Sequence, residues 1–347
     1  MTSADNRPSH STEWLFCIVL VLVLSACGGQ RGPLQLAGNA MGTSWHLSYM
    51  APAVAVDRSL VQAGVEAQLE QVEQSMSTYR NNSEISRFNR APVDTWFTVS
   101  GEFYSVLSAA LAVGRDSAGA YDVTVAPLVD LWGFGPSMGE AVLPGGEAIK
   151  ALLPLVGQQQ LRLDGEALRI RKPVALTLDF SSLAKGFAVD QVANWLLSQG
   201  IDRFLLEVGG EMRMSGLSHR GDPWHVAVEQ PDSATRDVAA ALSVTDRAVA
   251  TSGSYRNYFE MDGRRYSHSI DPRTGRPVIH DLVSVTVIHN SAMMADAWAT
   301  ALIVLGADQA MAVAREQGLA VYFMRRNEMG LQHSHTTEFV PFLAVEQ

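Results

Sequence analysis

The chain has 347 residues, a formal net charge of -10 and a sequence isoelectric point near 5.4. This length suits one large domain or two closely packed ones. The acidic balance argues against non-specific nucleic-acid binding, which depends on a basic surface, so no nucleic-acid partner is expected. After the N-terminal region no apolar stretch is long enough to span a bilayer.

The N-terminus has the pattern of a lipoprotein signal. Leu15 to Leu24 is an apolar run too short to span a bilayer, and it leads into Leu24-Ser25-Ala26-Cys27. Small residues before a cysteine are typical of lipoprotein cleavage, so residues 1–26 are predicted to be a signal peptide and Cys27 the lipidated first mature residue. An ordinary signal peptide or a membrane anchor is the alternative. Residues 27–38 are predicted to be a linker, and the lipid would hold the protein on the periplasmic side of a bacterial membrane.

The predicted elements after the linker begin with a strand and then become mainly helical. Ser100 is the predicted N-cap of the second helix, because its hydroxyl can accept a hydrogen bond from a free N–H of the first turn. In chain order we predict a strand Met41 to Met50, a helix Asp57 to Met76, a polar turn-rich segment Ser77 to Asn89, a helix Ser100 to Ser117, a loop Pro136 to Gly146, and a short helix and hairpin within Glu147 to Pro173.

The second half of the chain is predicted to be rich in strands. A helix capped by Ser181 or Ser182 ends at Gly200, which is a natural stop. It is followed by strands Arg203 to Val208, Trp224 to Glu229, Ala240 to Val244, Ala248 to Ser252, Tyr255 to Met261 and Leu282 to His289, then helices Ser291 to Gly306 and Asp308 to Gly318, and a strand Leu319 to Met324. Strands that arrive in runs favour an α+β fold with largely antiparallel sheets over a doubly wound parallel sheet.

Two oxygen-bearing side chains share one face of the predicted helix that begins near Ser291. Asp296 and Thr300 lie four residues apart, which makes them neighbours on a helix surface. A carboxylate and a hydroxyl placed in this way can bind one small cation that prefers oxygen ligands. Such pairs also arise by chance on many helices, so this spacing alone is weak evidence for a metal site.

Other segments carry groups suited to chemistry or to ring binding. Asp179 precedes a predicted helix and Lys185 lies near its start, which suits a phosphate, although a serine cap with a solvated lysine is the alternative. His268 lies in a polar turn and can act as a general base, although such a histidine is more often a surface residue. Aromatic side chains are combined with turns or glycines at Tyr79, in Gly119 to Pro127 and in Leu131 to Gly135, and these segments suit a planar ring or a small local core.

Taken together and in this order, these segments resemble the ApbE family, the FAD:protein FMN transferases. The resemblance covers essentially all of the chain after the linker, so residues 39–345 are predicted to form one ApbE-like domain. It rests on Met41-Gly42-Thr43, Met76 to Arg80, Ser83 to Asn89, Tyr121 to Thr124, Leu131 to Gly135, Asp179 to Asp190, Val208-Gly209-Gly210, Thr251-Ser252-Gly253, His268 to Pro277 and Asp296 to Thr300.

The resemblance implies a T-fold-like α+β architecture, dependence on Mg²⁺, and transfer of FMN from FAD to a Thr or Ser hydroxyl of a partner protein with release of AMP. It also implies roles for single residues. His268 falls where the family has a candidate base, and Asp179 and Lys185 are further candidates for the chemistry. The metal ligands would be the carbonyl of Ser182 and the side chains of Asp296 and Thr300. The positions that match flavin-nucleotide contacts are Met41, Tyr79, Ala120, Tyr121, Asp122, Asp179, Lys185 and Ile270.

Three departures from the family pattern stand near the site. Ser181 and Ser182 replace the usual Gly or Ala, Ser269 replaces an apolar residue after the histidine, and Glu211 follows Gly210 where Asp is usual. Ligation through a backbone carbonyl tolerates the first change.

Three hypotheses compete for the function. The leading one is a lipid-tethered FMN transferase that acts on flavoprotein subunits of membrane redox complexes. The second is a pyrophosphatase that splits FAD into FMN and AMP, with water in place of the acceptor hydroxyl. The third is a non-catalytic flavin-binding lipoprotein, against which Lys185, Asp296 and Thr300 argue, because a carrier needs no metal on the pyrophosphate.

Overall fold

The computed structural model describes residues 32–54, 56–135, 143–231, 237–254, 258–261 and 263–344. The predicted signal peptide and Cys27 lie outside these residues, as does most of the predicted loop from Pro136 to Gly146. Within the described part of the chain, no helix has both the length and the apolar character needed to cross a bilayer.

Strands make up much of the second half of the chain and also open the described region. They are β1 (Leu34–Ala40), β2 (Thr43–Tyr49), β3 (Phe97–Thr98), β4 (Arg162–Asp164), β5 (Arg169–Arg171), β6 (Phe204–Val208), β7 (Glu211–Ser215), β8 (Trp224–Glu229), β9 (Val238–Val244), β10 (Ala248–Gly253), β11 (Tyr258–Met261), β12 (Arg264–Ser267), β13 (Ile270–Asp271), β14 (Arg276–Pro277), β15 (Leu282–His289), β16 (Ala320–Asn327) and β17 (Gly330–His335).

Helices lie mainly before β6 and between β15 and β16. They are α1 (Arg58–Met76), α2 (Glu84–Arg90), α3 (Gly101–Asp116), α4 (Ala126–Leu131), α5 (Gly146–Leu152), α6 (Ala184–Ser198), α7 (Ala292–Leu305) and α8 (Ala307–Glu316). Short 3-10 turns occur at Leu153–Leu155, Gln158–Gln160 and Thr337–Phe342.

An eight-stranded sheet with the order β1-β2-β6-β7-β10-β15-β16-β17 forms the centre of the fold. Each neighbouring pair in it is antiparallel. Smaller sheets pair β8 with β9, β11 with β12, β13 with β14, and β3 with β5 and β4. The predicted α+β fold with largely antiparallel sheets is therefore confirmed.

Both faces of the central sheet are covered. Ala248 and Ala250 of β10 belong to the large core beneath the helices, whereas Val249 between them faces a second core. Successive side chains of a strand point to opposite faces, so this alternation is what a sheet buried on both sides requires. The second core is formed with β8, β9 and the 3-10 turn near the C-terminus through Trp224, Val228, Leu242, Val244 and Phe339.

The start of the domain differs from the prediction. The predicted strand from Met41 is the second half of a hairpin, in which β1 takes up residues assigned to the linker and Met41 and Gly42 form the turn with φ of 54° and 71°. Gly38 pairs with Trp45, and a Cβ at Gly38 would lie 2.6 Å from the indole Nε1. Gly38 therefore makes room for a buried tryptophan, although the segment around it resembles a flexible linker in composition.

Several further elements were not predicted, and α2 and β7 are two of them. The segment from Ser77 to Asn89 was expected to be turn-rich, but it contains helix α2, whose N-cap Ser83 accepts a hydrogen bond from the Ser86 N–H. Strand β7 was also missed. It follows β6 after the two-residue turn Gly209-Gly210, and both glycines have positive φ, at 58° and 102°.

Candidate active site

A cavity of about 960 Å³, here called the main cavity, lies where α6, α7 and the ends of β7 and β10 approach one another. Ligand sites commonly have volumes of about 300–1,000 Å³, so the main cavity suits a dinucleotide. It contains almost all of the predicted site residues: Tyr79, Ala120, Tyr121, Asp122, Asp179, Ser182, Lys185, His268, Ile270, Asp296 and Thr300. Met41 lines an adjoining cavity of about 500 Å³, which Tyr79 and Lys185 also line.

The charged centre of the main cavity is a lysine between two carboxylates. Lys185 Nζ lies 3.8 Å from Asp296 Oδ2 and 3.6 Å from Glu211 Oε2. Both carboxylate side chains are 5% exposed, whereas the lysine side chain is 29% exposed and so reaches the open space of the cavity. An anion that enters the cavity can therefore meet the ammonium group.

Burial and neighbouring charges shift the pKa values of these three groups in opposite directions. Burial lowers the pKa of Lys185, but the carboxylates of Asp296 and Glu211 outweigh it and hold the pKa above its ordinary value. Burial raises the pKa of both carboxyl groups, and Lys185 opposes this rise. The ammonium is therefore fully charged at neutral pH and available to neutralise a phosphate.

Asp190 joins the elements that carry the site. Its carboxylate, on α6, accepts hydrogen bonds at the start of α7 from the Ser291 hydroxyl (2.6 Å) and from the backbone N–H groups of Ala292 (3.0 Å) and Met293 (3.1 Å). It also pairs with Arg213 of β7 at 2.5 Å. One carboxylate thus connects the helix of Lys185, the helix of Asp296 and Thr300, and the strand that begins with Glu211.

Two glycines allow the backbone to approach closely around Lys185. A Cβ at Gly186 would lie 2.3 Å from the carbonyl oxygen of Ala292, so α6 and α7 could not pack as they do with a larger residue. The Gly186 N–H instead donates to Asp296 Oδ2 at 3.2 Å. A Cβ at Gly209 would lie 2.8 Å from the Thr43 side chain and 3.3 Å from Lys185 Cδ.

The predicted serine caps of α6 are wrong. Leu183 is the N-cap residue and makes no side-chain cap bond. Ser181 instead donates its N–H to Asp179 Oδ1 at 2.7 Å, and the Ser182 hydroxyl donates to the Tyr121 hydroxyl at 2.8 Å. Ser181 is thus bonded within its own turn, whereas Ser182 is bonded to a segment far away in the chain, and this second contact could not be read from local sequence.

The segment of Tyr121 and Asp122 is fixed by hydrogen bonds. Asp122 accepts from the Thr124 N–H and hydroxyl and from the Gln158 N–H, at 2.7, 2.5 and 2.9 Å. Burial raises the pKa of the Asp122 carboxyl and the pKa of the Tyr121 phenol. The wall of the main cavity is therefore preorganised at this side.

An aromatic wall lies around His268. The Phe134 ring meets the His268 ring edge-on, with centroids 6.3 Å apart, and stacks on Phe259 at 5.4 Å. Trp132 donates its indole N–H to the carbonyl of Gly275 at 2.8 Å, which ties this wall to the turn after β13. The two segments predicted to suit a planar ring and a base therefore lie side by side.

Thr300 and Glu211 complete the oxygen-rich part of the cavity. The Thr300 hydroxyl lies 3.2 Å from the hydroxyl of Ser252, which the sequence did not place in the site. In the sequence, Glu211 stands out only as a departure from the family pattern. The glycine pair before it was the available signal, because glycines permit a tight turn or a close approach of the backbone to a ligand.

The oxygen donors fit a small hard cation. Within the described residues, no group of three or more His, Cys, Asp or Glu side chains could hold a metal ion. The set that lines the cavity instead combines Asp296, Thr300 and Ser182 with a buried Glu211 Oε2 that has no hydrogen-bond partner. Carboxylate, hydroxyl and carbonyl oxygens are ligands that Mg²⁺ accepts, usually with substrate phosphates and water.

Comparison with known proteins places this site in a family. Residues 41–323 match the model of the ApbE family. A FAD:protein FMN transferase of Vibrio cholerae serotype O1 is 41% identical over 332 residues, which cover 96% of this chain and 99% of that protein. A FAD:protein FMN transferase of Escherichia coli K12 is 38% identical over 316 residues, which cover 90% of each chain.

Solved structures agree with this assignment. The flavin transferase ApbE from Vibrio cholerae has a TM-score of 0.84 at 40% identity, covering 90% of this chain and 99% of that one. The apo flavinyl transferase ApbE of Pseudomonas stutzeri has a TM-score of 0.84 at 38% identity, covering 91% and 98%. These matches confirm the predicted fold and the predicted enzyme class, a transferase. The chain belongs to the ApbE family.

Proposed function

We propose that the protein is a Mg²⁺-dependent FAD:protein FMN transferase, which moves FMN from FAD to a Thr or Ser hydroxyl of a partner flavoprotein and releases AMP. The observation that carries the proposal is Lys185 between Asp296 and Glu211 in a cavity of dinucleotide size. The names of the similar transferases from Vibrio cholerae and Escherichia coli support it.

The proposed reaction exchanges one phosphorus–oxygen bond for another. The acceptor hydroxyl oxygen bonds to the phosphorus of the FMN half of FAD, and the bond from that phosphorus to the bridging oxygen breaks. The bridging oxygen leaves with AMP, and the hydroxyl proton passes to a base. In-line attack gathers negative charge on the phosphoryl oxygens and on the leaving group, so catalysis depends on positioning and charge neutralisation.

Lys185 supplies one of the positive charges. Its ammonium is held by two buried carboxylates, yet its side chain reaches the cavity. A bound Mg²⁺ would add a Lewis acid for the pyrophosphate oxygens, and Asp296, Thr300 and the carbonyl of Ser182 would hold it. The hydrogen bond from Gly186 fixes the orientation of the Asp296 carboxylate before any ligand enters.

Two groups are candidates for the base, His268 and Asp179. Both line the main cavity, and Asp179 already accepts the N–H of Ser181. A pH–rate profile of His268→Asn and Asp179→Asn separates them, because loss of the true base removes the limb that reports its deprotonation.

The proposed location is the periplasmic face of a bacterial membrane, with lipid on Cys27 as the only membrane contact. The partners would then be flavoprotein subunits of membrane redox complexes. The sequence pattern of residues 15–27 supports this part of the proposal. Mass spectrometry of the mature N-terminus tests it, since an unmodified Cys27 in the membrane-extracted protein would contradict it.

The decisive experiment incubates the protein with FAD, Mg²⁺ and a panel of exported flavoprotein domains, and follows their intact mass. An FMN-sized mass increase on an acceptor together with AMP release is expected, and Asp296→Asn is expected to abolish both. Release of FMN and AMP without an acceptor and without an adduct would instead identify a pyrophosphatase. Tight FAD binding with no product in any mixture would identify a carrier.

A further inference from the structure

Glu211 is the buried acidic group whose role is unassigned in the proposed reaction. It begins β7 immediately after the Gly209-Gly210 turn, lines the main cavity, and is 4% exposed. Its Oε2 accepts no hydrogen bond, and the nearest cation, Lys185 Nζ, stands 3.6 Å away. A buried carboxylate oxygen without a hydrogen bond is costly and unusual in a folded protein.

The charges around Lys185 do not balance. One ammonium group faces the carboxylates of both Asp296 and Glu211, which leaves a net negative charge when all three groups are ionised. Buried charges without full pairing are costly, so the fully ionised arrangement is stabilised when another cation shares it. The orphan oxygen of Glu211 is the main observation, and the pairing of one ammonium group with two carboxylates agrees with a further cation at this place.

Pairing with Lys185 alone does not explain why a second carboxylate, that of Glu211, is buried at this place. The lysine already has Asp296 as a partner at 3.8 Å and the carbonyl of Ser181 at 3.5 Å. A second carboxylate beside one ammonium offsets part of the positive charge that the lysine presents to a phosphate. A divalent cation beside Asp296 would use the second carboxylate instead.

We propose that Glu211 is the second carboxylate of the cation site, and that it binds the divalent cation directly or through one of the water molecules on the ion. This inference rests on the proposed Mg²⁺ dependence. It adds Glu211 to the donors Asp296, Thr300 and Ser182. Loss of a group that supports a metal site typically weakens metal binding by about 10- to 100-fold, and the same range is expected here.

The test measures Mn²⁺ binding to the full mature chain by electron paramagnetic resonance, with and without AMP and without any turnover. Glu211→Gln removes the charge and keeps the shape, whereas Glu211→Asp keeps the charge. Glu66→Gln is the matched control, because Glu66 is exposed on α1 and bonds to Gln62 away from the cavity. Circular dichroism melting checks that each variant is folded.

The expected result is Mn²⁺ binding weakened by about 10- to 100-fold in Glu211→Gln, a change of about threefold or less in Glu211→Asp, and no change in Glu66→Gln. The same loss is expected in a Lys185→Met background, because the proposed effect does not pass through the lysine. Unchanged Mn²⁺ affinity in Glu211→Gln, or an effect that disappears with Lys185→Met, would overturn the proposed role of Glu211. Either result would leave the proposed metal dependence standing. No Mn²⁺ binding by the unaltered protein would overturn the proposed metal dependence as well.

If Glu211→Gln does not fold, Glu211→Asp still decides the question. Its carboxylate is one methylene shorter, so water proton relaxation of bound Mn²⁺ should show a changed number of coordinated water molecules. A relaxation signal identical to that of the unaltered protein would contradict a contact between Glu211 and the hydrated ion.

Discussion

Replacement of Asp190 by Ala is expected to destabilise the protein more than any change of an exposed ion pair. The variant removes the partner of Arg213 and the acceptor of three hydrogen bonds at the start of α7. Removing one partner of a fully buried ion pair costs about 3–5 kcal/mol, because the other charge is left unpaired. The Arg213 side chain is 23% exposed and can turn toward water, so we expect about 2–4 kcal/mol for this part.

Loss of the helix cap adds to this cost. Ser291 still caps α7 through its bond to the Met294 N–H, but the N–H groups of Ala292 and Met293 lose their acceptor. An N-cap interaction contributes about 1 kcal/mol, so the total decrease in the free energy of unfolding should be about 3–5 kcal/mol.

Urea unfolding followed by circular dichroism measures this decrease, provided that the slope m stays unchanged. Asp116→Ala is the control, because Asp116 pairs with Arg115 at 2.8 Å on the surface, where the arginine side chain is 73% exposed. Exposed pairs contribute about 0–1 kcal/mol. A loss of about 1 kcal/mol or less in Asp190→Ala would refute the argument that this carboxylate holds the site elements together.

Three other variants test separate parts of the structure. Gly186→Ala should lower the free energy of unfolding by about 1–3 kcal/mol in thermal or urea unfolding, because its Cβ would lie 2.3 Å from the Ala292 carbonyl oxygen; unchanged stability would contradict the close helix packing. Asp296→Asn should remain folded by circular dichroism but lose FMN transfer, so retained transfer would remove Asp296 from the metal site. Burial lowers the pKa of His289 in the folded protein below its ordinary value of 6.5. The unfolded chain therefore binds more protons below that pH, stability falls as the pH drops from about 7 to 5, and His289→Gln should show a smaller fall. If the stability of His289→Gln falls by as much as that of the unaltered protein over this pH range, the argument for His289 is refuted.

The sequence predicted those elements whose signals are local. Helices α1, α3 and α7 begin after Asp57, Ser100 and Ser291, and each of these side chains accepts a hydrogen bond from its own first turn. A cap and an apolar face are contained within one segment, so neither depends on the rest of the fold. Strand β1 was missed because the role of Gly38 depends on Trp45 across the hairpin.

The candidate site was predicted by the order of its motifs, and the structure brings those motifs to one cavity. What the motifs could not supply is the set of contacts between segments far apart in the chain. Asp190 and Met293 are separated by 103 positions, and Glu211 approaches Lys185 because β7 packs against α6. Burial makes these groups important, and burial is a property of the fold rather than of a local pattern.

Stability and function are linked at this site through charge. The cluster of Lys185, Asp296 and Glu211 buries two carboxylates with one ammonium, which costs stability while no other cation is present. Asp190 and Arg213, by contrast, form a fully paired group with hydrogen bonds on both carboxylate oxygens. The paired group sits between the same helices and strand that carry the unpaired cluster. It therefore holds the three elements in place around two carboxylates that one ammonium group cannot fully pair, which is the arrangement expected at the proposed cation site.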